Sequence, residues 1–284
     1  MSLTISNLQH LETELYKTAL VVGALGGLGR VTVNELVRNG WYVFAADRDE
    51  KVFKVFSSES NIHPVHLDVT MQESVDEAFK YIEARIDGLD AIINVAGVLQ
   101  IGAMVEIPIE EFQLAMEVNL FGVFRVNKRF VPMVLKRKGR IIILSSEVGT
   151  QMAAPFNGVY TATKHALEAY ADALRRELNF LGIRVIKIQP GPIRSEMTRG
   201  AENLFVRAVE DSKYFKMNIS KGLPYLPRVY RRASDPIHVA KAVLRALESK
   251  RPRIAYPVKR DLSRRLVDYL PVQWADWLIR TMLS

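Results

Sequence analysis

Short apolar runs alternate with segments of helical period along most of this chain. Residues 18–22, 41–46, 91–95, 140–144 and 183–188 are runs of five or six mostly apolar residues, the length and continuity expected of strands buried on both faces. Between them, 28–37 reads as a helix, and Val75, Ala78, Phe79, Ile82 and Ile86 recur at the spacing of one helix face. Thr70 and Glu73 have capping-box spacing just ahead of that face. A long helical stretch covers about 120–136, and Leu167, Tyr170, Leu174, Leu178 and Leu181 stripe another. Strand–helix alternation of this kind predicts an α/β fold with a parallel sheet covered on both faces. Right-handed crossovers then leave a doubly wound sheet as the natural topology.

Past Pro190 the pattern weakens. Residues 194–232 mix glycine, proline, charge and aromatics, and read as irregular or short helical structure. Asp235 and Pro236 have the character of a cap and first turn, so one more helix is expected there, followed by a last strand near 254–256. The expected organisation is an N-terminal extension (1–17), one catalytic domain (18–260) with 194–232 as a cover, and a basic amphipathic extension (261–284).

Composition changes the picture in two respects. With 49 % hydrophobic and 25 % charged residues, a large core can form. There is no cysteine, so disulfides, thiolate metal sites and thiol nucleophiles are excluded, and no metal is called for. The net charge of +8 is localised: residues 221–284 carry 14 Lys/Arg against 5 Asp/Glu, leaving the rest close to neutral. A near-neutral body with a basic end does not suit a nucleic-acid groove, and no nucleic acid is expected. No apolar stretch has the length of a membrane span, which leads us to expect a cytoplasmic protein. Beyond Asp261, Leu262, Leu266, Val267, Leu270, Trp274, Trp277, Leu278 and Ile279 alternate with Arg264, Arg265 and Arg280. That mix suits packing on the body, a neighbouring subunit or a peripheral membrane contact.

Candidate chemistry begins at Gly23, Gly27, Leu28 and Gly29, between the first strand and the first helix. Glycines there let the backbone approach a pyrophosphate, and the helix start offers it unpaired N–H groups. The spacing is G-x-x-x-G-x-G. Asp47 closes the second strand, where a carboxylate can accept from the adenosine ribose hydroxyls and repel a 2′-phosphate. This favours NAD, while the adjacent Arg48 keeps NADP open.

Further along stand Asp68-Val69, Asn94-Val-Ala96-Gly97, Asn119, Ser146, Tyr160 with Lys164, and Pro190-Gly191 followed by Ile193 and Ser195. In this order and spacing they resemble the short-chain dehydrogenase/reductase family over roughly 18–196, with a weaker echo to 257. The resemblance implies a Rossmann fold of about seven strands and an NAD(P)-dependent oxidoreductase. Tyr160 and Lys164, four apart at the start of a helix, share a face. An ammonium there lowers the phenol from its ordinary pKa of about 10, toward what a general acid/base needs.

In the family that this chain resembles, the lysine also binds the nicotinamide ribose, the serine orients substrate, and the Asn119 position holds a water that links lysine to solvent. Asp68 and Val69 resemble the pair meeting adenine. Asn94, Ala96 and Gly97 resemble the segment beside the adenosine, with Val95 where a second Asn is usual. Pro190, Gly191, Ile193 and Ser195 resemble the segment holding the nicotinamide carboxamide, with Ser195 at the usual Thr position. Ser146 lies one residue farther from Tyr160 than the family norm, and Glu147 stands at the normal spacing. An inserted residue in the loop before Asn157 reconciles the two, with Ser145 in support.

The expected reaction is hydride transfer between a nicotinamide and a secondary alcohol/ketone or primary alcohol/aldehyde pair. Phe205, Tyr214, Phe215, Met217, Tyr225 and Leu226 in the cover suit a lipophilic substrate, as does a weak resemblance of 253–258 and 172–188 to steroid- and retinol-type members. Helices near 120–136 and 160–181 resemble those through which the family forms dimers and tetramers. Two rival readings stand: a non-catalytic dinucleotide-binding regulator, and a nucleotide-sugar epimerase or dehydratase of the extended family.

Overall fold

The computed structural model describes residues 16–57, 60–260 and 267–284, and of 228–230 the backbone only. Residues 1–15 of the N-terminal extension, and Asp261, Leu262, Arg264, Arg265 and Leu266, lie outside the described residues.

Seven strands form one parallel sheet: β1 (Lys17–Val22), β2 (Trp41–Asp47), β3 (Ile62–His66), β4 (Ala91–Asn94), β5 (Arg140–Leu144), β6 (Arg184–Pro190) and β7 (Ala255–Val258). Their spatial order is β3-β2-β1-β4-β5-β6-β7, the doubly wound arrangement. The strand pleat sends alternate residues to opposite layers. Leu20, Ile92, Ile141 and Ile143 enter one apolar layer with α3 (Gln72–Glu83), α5 (Gly122–Arg137) and α6 (Gly158–Asn179). Ala19, Val21, Ile93, Ile142 and Leu144 enter the other, with α1 (Gly27–Arg38) and α10 (Ile237–Glu248).

The pattern misses β3, whose sequence Ile-His-Pro-Val-His is neither continuous nor alternating. Proline has no N–H to give a ladder, so such a strand is tolerated at the sheet edge, where it lies. The expected capping box at Thr70 is not formed. Thr70 directs its N–H and its hydroxyl to Asp68 Oδ1 (2.8 and 2.7 Å), and the helix starts at Gln72. Asp235 does cap, accepting the Ile237 N–H at 2.9 Å.

The segment 194–232 is more regular than its composition implies. It contains α7 (Glu196–Asp211), α8 (Lys216–Gly222) and α9 (Leu226–Arg232). Ser195 caps α7 in a reciprocal box with Thr198. Its underside joins Ile101, Leu204, Phe205, Ala208, Phe215, Ile219 and Phe156 in a third apolar cluster. Glu106 ties the α7–α8 turn down, accepting from Ser212 Oγ (2.7 Å), Lys213 N (2.9 Å) and Tyr214 N (2.7 Å). The chain ends in α11 (Val272–Leu283), held to α8 by Asn218 Nδ2 donating to Leu283 O at 2.7 Å. Among the described residues no helix is long and apolar enough to cross a membrane.

Candidate active site

At the carboxyl edge of the sheet, the chain leaves the paired strands β1 and β4 toward opposite layers, and a cleft of about 300 Å³ lies there. Gly23 makes the turn out of β1 at φ 88°, where a Cβ would lie 2.6 Å from Ala96 N. The N–H groups of Gly23 and Ala24 donate to Ala46 O, so the glycine turn is tied to β2. A Cβ on Gly29 would lie 2.0 Å from Gly23 O, so turn and helix approach each other as only glycine allows. No side chain caps the start of α1, which leaves its N–H groups facing the cleft.

Asp47 Oδ2 accepts the Leu25 N–H at 2.9 Å, which holds the carboxylate at the cleft wall. Gly23, Gly27, Leu28, Gly29, Asp47, Arg48, Asp68, Val69, Ala96, Gly97 and Ser195 all line this one cleft. Gly26, Thr70, Val98, Glu196 and Met197 line it too, without having been singled out. Glu196 and Met197 follow the Ser195 cap, so the Ser-x-x-Thr spacing was the available signal for a helix starting there.

Asn94, Pro190, Gly191 and Ile193 are not among the residues that line it. Asn94 is buried under the sheet, its Nδ2 donating to Asn127 Oδ1 (3.0 Å), because β4's pleat points it at α5. The Gly191 N–H donates to Val258 O, so Pro190 and Gly191 serve the β6–β7 junction. Ile193 is buried in the core layer with α10. Ser195 does border the cleft, but its hydroxyl accepts the Thr198 N–H at 3.3 Å as a helix cap.

Asn119 lies in a π-helical turn (Glu117–Phe121) between α4 (Ile109–Met116) and α5. An Asn side chain competes with the backbone for hydrogen bonds, and here the helix widens around it. Its Oδ1 accepts Val98 N (2.8 Å), and its Nδ2 donates to Val98 O (2.9 Å) and Thr163 Oγ1 (3.0 Å). Asn119 thereby fastens the wall of the cleft to α6, one residue from Lys164.

Tyr160 and Lys164 occupy the first two turns of α6. Lys164 is buried, its Nζ donating to Leu144 O at 3.1 Å and lying 5.6 Å from the Tyr160 ring centre. Ser146 follows β5 and caps a 3-10 turn (Glu147–Thr150), and its hydroxyl stands near enough to the Tyr160 phenol to pull its pKa down. Glu147 is buried within the 3-10 turn. Phe156, in the loop before α6, has a left-handed φ of 64°.

The electrostatics depart from expectation. Part of the Tyr160 ring is accessible, but its hydroxyl is deep, and burial pushes the phenol up to about 12, against a lowering by Ser146. Lys164 is pushed down to about 8 by burial, against a raising by Glu168. The expected lowering by the lysine is not what governs the phenol: desolvation dominates, and the opposing effect comes from Ser146. At neutral pH the pair is a neutral phenol beside a largely charged ammonium, suited to giving a proton.

A model of the short chain dehydrogenase family matches residues 17–203. The chain is 29 % identical to "Probable short-chain type dehydrogenase/reductase VdlC" of Helicobacter pylori, over 93 % of this chain and 97 % of that protein. It is 34 % identical to the NADPH-dependent 3-dehydrocapnine reductase of Ornithobacterium rhinotracheale, over 63 % of this chain and 66 % of that protein. Among solved structures, a variant of actinorhodin polyketide ketoreductase with NADPH superposes with a TM-score of 0.73 at 25 % identity. The match covers 87 % of this chain and 97 % of that one.

Proposed function

The chain belongs to the short-chain dehydrogenase/reductase family and is an NAD(P)-dependent oxidoreductase of CH–OH groups, and on that premise we propose that it reduces a lipophilic ketone or aldehyde with Tyr160 as the proton donor. The two rival readings, a silent regulator and a nucleotide-sugar enzyme, are not favoured by relatives that are reductases and dehydrogenases. The observation that carries the proposal is the Tyr160 phenol with Ser146 beside it and the Lys164 Nζ 5.6 Å from its ring centre.

The cleft fits a dinucleotide, since Gly23 and Gly29 are the places where a Cβ would fill the backbone cradle. A bound nicotinamide dinucleotide supplies the hydride, which no side chain can carry. The residues that would hold it are the glycine turn and α1 start for the pyrophosphate, Asp47 for the adenosine ribose, and Asp68 and Val69 for adenine. Ala96 and Gly97 would border its adenosine side, and Lys164 would meet the nicotinamide ribose. Ser146 orients the substrate oxygen, Tyr160 gives it a proton, and Lys164 stabilises the phenolate left behind. Asn119 holds the wall through which that proton is replaced.

Asp47 favours NADH. We expect kcat/KM for NADH to exceed that for NADPH by about tenfold or more, since one like-charge contact is worth upward of ~1.4 kcal/mol. Absorbance of the reduced nicotinamide, followed with each cofactor against a panel of small and lipophilic carbonyls, tests cofactor and substrate together. A preference for NADPH, or turnover confined to small polar carbonyls, would overturn this reading.

A lipophilic substrate is supported by the apolar cluster of Phe156, Phe205 and Phe215, and by a groove of about 420 Å³ between α11 and the start of α6. Met104, Phe156 and Ile279 line that groove. In this proposal residues 18–260 form one catalytic unit with 194–232 as its cover, acting in the cytoplasm, where nicotinamide dinucleotide is at hand. A second copy of the chain is the partner that suits the apolar surface of Phe121 and Phe124 (44 % and 45 % exposed).

The C-terminal helix completes the proposal. Trp274 and Trp277, three apart on α11, are each 67 % exposed, and Tyr214 and Met217 stand out beside Lys213 and Lys216 on the neighbouring α7–α8 turn and α8. Aromatic rings with cations suit an anionic phospholipid surface. Co-sedimentation with phosphatidylserine vesicles at low salt is expected for the intact protein, and to fall several-fold for Trp274→Ala with Trp277→Ala. Failure of the intact protein to bind would remove the membrane from the picture.

A further inference from the structure

Tyr160, Lys164, Glu168 and Asp172 follow one another at four-residue steps, so they form a single stripe on α6. The third member, Glu168, is a buried carboxylate with both oxygens engaged. Its Oε2 pairs with Lys187 Nζ at 2.8 Å, and its Oε1 accepts from Gln189 Nε2 at 2.8 Å. Lys187, on β6, also donates to Asp172 Oδ1 at 2.8 Å. Asp172 is half-buried and also pairs with Arg175 at 3.7 Å, and Arg260 bonds Gln189. Glu168 is thus the buried carboxylate of the stripe, and it shares its cation, Lys187, with Asp172. The nearest inward-facing cation along the stripe is Lys164.

Burying an ammonium disfavours its charged form unless an opposite charge lies near. Around Lys164, β5 presents the Leu144 carbonyl, the π-helical turn presents neutral Asn119, and the 3-10 turn carries Glu147. On its own helix stand Tyr160 and Glu168, and Glu168 is the group whose charge acts on it.

We propose that Glu168 is a positioning residue for the reaction: the buried counter-charge that holds Lys164 as an ammonium beside Tyr160, with Lys187 and Gln189 fixing where that carboxylate sits. This rests on the reading of Tyr160 as acid and Lys164 as its supporting cation. The ammonium is lost as pH rises through the lysine's pKa, so the alkaline limb of carbonyl reduction reports it. Removing the carboxylate moves that limb to lower pH, and removing the cation that competes for it moves the limb the other way.

The test measures kcat/KM for reduction across pH in wild type, Glu168→Gln, Glu168→Asp and Lys187→Met. A second readout is the pH dependence of Lys164 labelling by an amine reagent in cofactor-free protein, read by peptide mass spectrometry. Glu168→Gln is expected to move both midpoints down by about one pH unit. Glu168→Asp is expected to restore most of the shift, and Lys187→Met to move both midpoints upward. A purely structural role would lower rates at every pH with both midpoints unmoved, and that result in folded Glu168→Gln would overturn the proposal. If Lys187→Met fails to fold, the Gln and Asp variants decide alone. Normal turnover in Tyr160→Phe would instead sink the underlying reading, so the two failures are distinguishable.

Discussion

Tyr160→Phe is expected to cut turnover by about 10²–10⁴-fold while cofactor affinity stays at its wild-type value. The substitution keeps the ring, and with it the packing at the start of α6, and removes only the hydroxyl. That hydroxyl is the group able to give a proton where Ser146 points: the burial that raises it to about 12 keeps it protonated at neutral pH. The Ser146 hydroxyl still accepts the Val148 N–H at 3.4 Å, so the variant strands little and should fold. Tyr160 is not among the residues lining the glycine cleft, so its hydroxyl is not needed to form the pyrophosphate cradle. Single-turnover rates, with cofactor titration by calorimetry, check both halves. Near-normal turnover would show that another group carries the proton.

Gly23→Ala is expected to abolish measurable dinucleotide binding and to lower stability by about 2–4 kcal/mol. Two independent costs act there. The left-handed φ of 88° strains any residue with a Cβ, and that Cβ would stand 2.6 Å from Ala96 N, a backbone atom that cannot swing aside. Relief requires β4's end or the glycine turn to shift, and both are walls of the cleft. The turn is further tied to β2 through Ala46 O and to Asp47 through Leu25, so a shift propagates to the ribose end. Urea unfolding and calorimetric titration give the two numbers. A variant with wild-type midpoint and affinity would show that the cradle is softer than this geometry implies.

Five of the seven strands were legible because each is a continuous apolar run, buried on both faces and flanked by helices whose own stripes match the layer they meet. The last strand was placed near its true position from flanking cues. β3 was not legible, because at an edge the constraint on side chains relaxes and Pro64 breaks the pattern. The regular α7 was hidden for a different reason. Its apolar face packs on the 99–101 loop and Phe156, contacts that exist only once distant segments meet, and its cap uses Thr198 where a Glu or Gln would have advertised it.

At the site, residue types with few other uses at their positions were readable in advance. Glycines at a strand–helix turn, a carboxylate at the next strand end, and a Tyr/Lys pair four apart all report local geometry, and the fold brings them to one edge of the sheet. Asn94 was placed only by resemblance, in the segment beside the adenosine; the pleat turns its side chain into the core toward Asn127. Ser195 was half-read: it reaches the cleft, but its hydroxyl caps a helix.

The chain's own order of residues determined the doubly wound sheet and the cleft, and singled out the candidate acid, since periodicity and turn chemistry are local properties. Only the tertiary structure set Ser146 near the phenol and buried Glu147 in a 3-10 turn. It alone decided the charge balance as well. Desolvation depends on everything packed around a group: here it pushes the Tyr160 phenol up against Ser146, and the Lys164 ammonium down against Glu168, one turn further along α6.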